Sequence, residues 1–165
     1  MKRFLIVIFG CLFLSVSVTS QAQNKPSDKT LNKNISARFS YLLDFPVDSV
    51  AIPRSVNLST GIFKKVKSKD WTSGFFPGTL WQIYKLTGDV KYKEKAAVWN
   101  AFIEKEKHNG TTHDMGFKVY SSFGKGLTVV NNDKYKKIIV KSAQTLITRF
   151  NSKIGAIRSW DHSRE

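Results

Sequence analysis

Cysteine is almost missing from this chain: the only one, Cys11, sits inside the N-terminal apolar run. Past that run there is no disulfide framework and no thiolate to act as nucleophile or metal ligand, so stability must come from the core. Acidic residues are scarce as well, 12 against 27 basic ones. Low-complexity tracts are absent, and no basic run interleaved with aromatics forms a nucleic-acid-binding strip, so nucleic acid is not an expected partner. No alternation of strand and helix signals the βαβ unit of a parallel sheet.

What the N-terminus does have is Met1-Lys2-Arg3, an apolar run from Phe4 to Val18, and the small residues of Ser20-Gln21-Ala22. This is the pattern of a secretory signal peptide, residues 1–22, predicted to be cut after Ala22. The run is too short and wrongly flanked for a membrane span. Ile8-Phe9-Gly10-Cys11 fits a lipoprotein box poorly, because Phe9 is bulky and apolar residues continue past Cys11. The expectation is an exported, periplasmic protein with no membrane contact after cleavage, residues 23–165 making one domain.

The net charge is +15, and +13 once Lys2 and Arg3 are removed. Such a surface is either a solvated lysine coat, as on Lys91, Lys93, Lys95 and Lys105, or a field that steers anions. For an exported protein the natural anion is acidic polysaccharide.

Apolar spacing predicts a helix over Leu31–Leu43, with 23–30 loose and Pro46 ending the pattern. Phe45 to Lys69 reads as a connection holding a short strand near Ile62-Phe63. Ser73 is expected to cap a helix reaching Leu86, with Pro77 in its first turn and Gly88 closing it. Asp89 starts the next, striped by Tyr92, Ala96, Trp99 and Ile103. A further helix runs from His113-Asp114 to Val130, where Gly124 and Gly126 either weaken it or admit a close neighbour. Asp133 begins a helix to Phe150 striped by Tyr135, Ile139, Ala143, Leu146 and Phe150. Ile154 to Trp160 looks like a strand or ordered loop. Five helices joined by brief turns suggest stacked helical hairpins in an all-α fold.

Three groups carry candidate chemistry. His113-Asp114-Met115-Gly116-Phe117 puts an imidazole and a carboxylate where a polar loop meets a helical pattern, so Asp114 is either a helix cap or held for chemistry. Asp70-Trp71-Thr72-Ser73-Gly74-Phe75-Phe76-Pro77-Gly78 is either an aromatic platform for a sugar ring or a packed helix start. Ser159-Trp160-Asp161-His162 is a second aromatic, carboxylate and imidazole group, or simply an exposed end or capping turn.

These strings in this order, with Leu86-Thr87-Gly88-Asp89, resemble the unsaturated glucuronyl hydrolases, glycoside hydrolase family 88, over roughly Phe45 to Glu165. The resemblance implies an (α/α)6 barrel of which about five helices are present here. It implies removal of the 4,5-unsaturated uronic acid that polysaccharide lyases leave on acidic, glycosaminoglycan-type oligosaccharides. The chemistry so implied is hydration of a vinyl ether: a proton goes to the C4=C5 bond, water adds at C5, and the hemiketal opens to release the neighbouring sugar. Asp114 matches a catalytic aspartate of the family, while Trp71, His113 and Trp160 match positions lining the sugar pocket. No cofactor or metal is implied.

The chain departs from the family in one respect. The family's second aspartate, the one usually assigned the proton transfer, stands in an Asp-Asn-Met context beyond Trp-Asp-His and has no counterpart here, and Asp161 is not a substitute for it. The 165 residues therefore read as the N-terminal part of the domain, expected to be inactive and to expose apolar helix edges. Two alternatives stay open: a fragment of an unsaturated rhamnogalacturonyl hydrolase, or a non-catalytic helical module that binds acidic glycans.

Overall fold

A computed structural model describes residues 27–161. The expected signal peptide, residues 1–22, and His162 lie outside the described residues. The first helix, α1 (Asp28–Phe39), starts before the expected Leu31 because the Ser27 side chain accepts the Thr30 N–H and Asp28 sits in the first turn. It tightens into a 3-10 turn, Ser40–Leu43, ahead of Pro46.

The stretch taken as a connection holds a hairpin, β1 (Ile52–Val56) antiparallel to β2 (Phe63–Val66). The second strand is the expected one. The first is masked in the sequence by Pro53, which has no N–H to give, and by a register shift between Pro53 and Ser55.

Helix α2 (Phe75–Thr87) is not capped by Ser73. The Ser73 hydroxyl is buried and donates instead to the Ser68 carbonyl over 2.7 Å, leaving Gly74 at the cap position. Gly88 ends the helix at φ 72°, returning its N–H to the Tyr84 carbonyl. Asp89 accepts the Lys91 N–H and opens α3 (Val90–Ile103) as expected. Tyr92, Ala96, Trp99 and Ile103 all face inward against Phe76, Leu80 and Ile83 of α2, and the Phe76 and Trp99 rings meet edge-on at 5.1 Å. Lys91 and Lys105 are exposed, but Lys95 donates to the Phe45 carbonyl over 2.7 Å and so fastens α3 to the first loop.

After a 3-10 turn, Glu104–His108, the expected helix from Asp114 takes a different form. Gly116–Gly124 is a π-helix, continued by the short α4 (Lys125–Leu127). Ser122 donates to the Lys118 and Val119 carbonyls, which helps satisfy the widened turn. Two rows spaced by four, Met115-Val119-Phe123 and Lys118-Ser122-Gly126, are buried. A Cβ on Gly126 would meet the Tyr135 ring at 2.8 Å, so close approach is the reason for that glycine.

Helix α5 (Asp133–Ile147), capped by Asn132, stops three residues short of Phe150. Its buried row is Tyr135, Ile138 and Ser142, whereas Ala143 and Phe150 face solvent. A strict four-residue spacing drifts around a 3.6-residue turn, which carries Ala143 off the packed face. A second hairpin, β3 (Phe150–Asn151) with β4 (Ala156–Ile157), closes the described chain. Leu86, Tyr120, Val140 and Ile147 are apolar side chains exposed on the helices.

Candidate active site

The loop before α2 is built on Asp70. Its Oδ1 accepts both the N–H and the hydroxyl of Thr72, at 2.9 and 2.5 Å, and its Oδ2 faces Arg54 at 3.4 Å. Burial pushes the Asp70 carboxyl up, but the Thr72 hydrogen bonds and the Arg54 charge outweigh it and hold the group below its ordinary value. The turn that results puts the Trp71 ring on the surface, 44% exposed, edge-on to Phe75 and Phe117 and beneath the Arg54 guanidinium. Trp71 is therefore not a core residue. It is part of an exposed three-ring cluster.

Asp114 is not a helix cap. Met115 takes the cap position without a side-chain bond, and the Asp114 carboxylate turns away from the backbone of the π-helix. Its Oδ2 accepts the Thr112 hydroxyl and the Trp160 indole N–H, each at 2.8 Å. Its Oδ1 lies 3.5 Å from His113 Nε2. The carboxylate is 5% exposed, so both bonds replace water that it has lost. The His113 ring also meets Trp160 edge-on at 4.9 Å, and its Nδ1 is buried without a partner among the described residues.

Trp71, Asp114 and Trp160 line one cleft of about 520 Å³, together with Asp70, Thr112 and Lys67. His113 stands behind, against Asp114 and Trp160. All four site residues picked from the sequence are thus brought together, from loops 46 positions apart in the case of Asp114 and Trp160.

Three buried charges under the cleft were not legible as site residues. Glu106 accepts the Ser68 hydroxyl at 2.7 Å and the Asn109 amide at 2.8 Å, and pairs with Lys118 at 3.4 Å. It joins the loop of Trp71 to the loop leading to Asp114. Burial pushes the Lys118 ammonium below its usual value, against the opposing pull of Glu106. The third charge is Arg149, at the end of α5. In the sequence these residues look like members of solvated helix faces, and only the non-local packing reveals them.

Two glycines set the aromatic cluster against the π-helix. A Cβ on Gly74 would lie 2.2 Å from the Lys118 carbonyl oxygen, and one on Gly78 would lie 2.3 Å from that of Ser121. Among the described residues no group of three His, Cys, Asp or Glu could hold a metal ion, and no helix is long and apolar enough to cross a membrane. The chemistry open to this cleft is that of a buried, oriented carboxylate beside stacking surfaces and cations.

No protein-family model matches the chain. An unsaturated glucuronyl hydrolase of Formosa agariphila is 47% identical over 167 residues, covering 98% of this chain and 42% of that protein. An unsaturated glucuronyl hydrolase of a Bacillus strain is 35% identical over 95 residues, covering 55% of this chain and 25% of that protein. Among solved structures, an unsaturated glucuronyl hydrolase specific for heparin superimposes with a TM-score of 0.74 at 35% identity, covering 83% of this chain and 36% of that one. The stacked helices are part of that helical toroid. The chain spans less than half the length of each of these relatives.

Proposed function

We propose that this chain, a homologue of the unsaturated glucuronyl hydrolases over nearly its whole length, supplies one wall of a site that hydrates 4,5-unsaturated uronides. The observation that carries the reading is the Asp114 carboxylate, buried, fixed by Thr112 and Trp160, and facing the same cleft as Trp71. With two donors on Oδ2, Oδ1 faces His113 at 3.5 Å, and the carboxylate is held oriented at the wall of the cleft. In the reaction a proton is added at C4 and a hydroxyl at C5. Water supplies the hydroxyl, its remaining proton passes to a carboxylate, and the hemiketal then opens to release the neighbouring sugar. Asp114 is the carboxylate this chain brings to that exchange.

Trp71 offers a stacking face for the sugar, and Trp160, backed by His113, offers a second one. Lys67 and Arg54 give the cleft a cationic rim, which suits the carboxylate of a uronide and the acidic oligosaccharide behind it. Residues 23–165 belong in this reading to the catalytic domain of an exported, periplasmic enzyme whose signal peptide is residues 1–22. By themselves they are not expected to turn substrate over.

The test is the rate at which the absorbance of the substrate double bond is lost, followed with an unsaturated uronyl disaccharide in the whole protein that contains these residues. Turnover that depends on Asp114 supports the reading. Turnover indifferent to Asp114, or an ordinary saturated glycoside cleaved equally well, overturns it.

A further inference from the structure

The two segments that meet at Asp114 are joined by Arg149, and we propose that this arginine is the positioning residue of the site. Its side chain is 1% exposed, and its guanidinium spends its donors on backbone. Nε donates to the Arg158 carbonyl over 2.9 Å, Nη1 to the Gly110 carbonyl, and Nη2 to the Ser159 carbonyl. Nη2 also reaches Asp161 Oδ1 at 3.1 Å, a carboxylate shared with Arg158. The Arg149 carbonyl in turn accepts the Arg158 N–H at 3.0 Å.

The placement of these acceptors matters. Gly110 opens the turn that delivers Thr112, His113 and Asp114, and Ser159 immediately precedes Trp160. One rigid, planar group thus sets the distance between the loop that carries the carboxylate and the segment after β4 that carries its indole donor. A guanidinium can do this because its N–H groups point in fixed directions, whereas an ammonium is a single point with rotating donors. Burying a cation is costly, and an apolar side chain would fill the space at lower cost. What the apolar side chain could not do is hold three carbonyls of two segments in one plane. The role of Asp161 follows from the same geometry: it balances the Arg149 charge, together with that of Arg158.

The consequence for catalysis rests on the proposed role of Asp114, but the placement of Trp160 does not, and the experiment uses no substrate. The chain is labelled with nitrogen-15 and the indole N–H resonances of its four tryptophans are assigned by Trp→Phe substitutions. In the otherwise unaltered chain, Asp114→Asn should move the Trp160 resonance and leave Trp81 and Trp99 in place. In Arg149→Gln and in Arg149→Lys, the Trp160 resonance should lose its dependence on Asp114→Asn, again with Trp81 and Trp99 unmoved. Those two core indoles separate lost positioning from lost fold. A Trp160 resonance indifferent to Asp114→Asn at the outset overturns the proposal. So does one that stays responsive in Arg149→Gln, or a collapse of all four resonances together. Full retention in Arg149→Lys would show that charge suffices, and would overturn the fork as the cause.

Discussion

The indole Nε1 of Trp160 donates to Oδ2 of Asp114 over 2.8 Å, although the two residues lie 46 positions apart. This contact turns two separate strings of sequence into one site. It also tells against the helix-cap reading of Asp114, because the carboxylate bonds to an indole and a threonine hydroxyl while Met115 takes the π-helix cap position without a side-chain bond.

If Asp114 has the proposed role, Asp114→Asn in the whole protein that contains these residues should lower turnover of an unsaturated disaccharide by at least about 10²-fold, the scale of a lost proton-transfer group. The amide keeps the shape, so the melting temperature should change little. Absorbance kinetics and thermal unfolding on the same preparation decide it, and rates near the starting value would demote Asp114 to a structural residue.

In that same whole protein, the proposed stacking role makes Trp71→Ala act on binding. The ring is largely on the surface, so stability should hold, while the Michaelis constant rises several-fold with the loss of about 0.5–1.5 kcal/mol of stacking. Early melting with an unchanged Michaelis constant would be the opposite outcome.

The buried pair makes an asymmetric forecast. Glu106→Ala leaves the Lys118 ammonium buried without its carboxylate and should destabilise by about 3–5 kcal/mol. Lys118→Met strips the cation from the buried Glu106 carboxylate in turn, but that carboxylate keeps its Ser68 and Asn109 donors, so the loss should be smaller. Urea unfolding of both variants measures the difference, and two near-neutral variants would refute a buried ion pair.

Acid should weaken the fold through two carboxylates held below their ordinary values of 3.8 and 4.5. Asp70 is held there by Thr72 and Arg54 in spite of burial, and Glu104 by hydrogen bonds from Lys134 and Lys107. A carboxyl that is more acidic when folded adds stability above its unfolded value. That contribution is lost as pH falls through the lower folded value. Between about pH 5 and pH 3 the urea midpoint should therefore decline, and decline less in the Asp70→Asn, Glu104→Gln double variant.

Much of the fold could be read from residue spacing, and α3 shows why. Its cap, Asp89, is local chemistry, and its stripe mixes steps of three and four that stay on one face of a 3.6-residue turn. A uniform step of four says less. On α5 it carried the expected stripe round to solvent at Ala143. On 115–124 it accompanies a π-helix, whose wider turn keeps such a row on one side. The site was legible where aromatics, an imidazole and a carboxylate stand together. Glu106, Lys118 and Arg149 were not, because a charged residue on a helix ordinarily faces water, and their partners lie across the fold, as Ser68 does for Glu106 and Gly110 for Arg149.

Gly78→Ala should destabilise by about 1–3 kcal/mol, because the added methyl would sit 2.3 Å from the Ser121 carbonyl oxygen, which is backbone and cannot swing aside. Chemical denaturation reads the loss directly, and a neutral result would mean that α2 can back away from the π-helix.

The same meshing has a practical side for anyone wishing to redesign the cleft. With Gly74 and Gly78 seated under the carbonyls of residues 117, 118 and 121, α2 and the π-helix cannot slide past one another or spread without breaking both contacts. The three rings of Trp71, Phe75 and Phe117 are therefore presented on a single stiff frame. A combinatorial library that varies 71, 75 and 117 would exchange the face shown to the ligand while leaving its mounting intact. One that also admits changes at 74 or 78 would fill with variants that fail before they are ever screened.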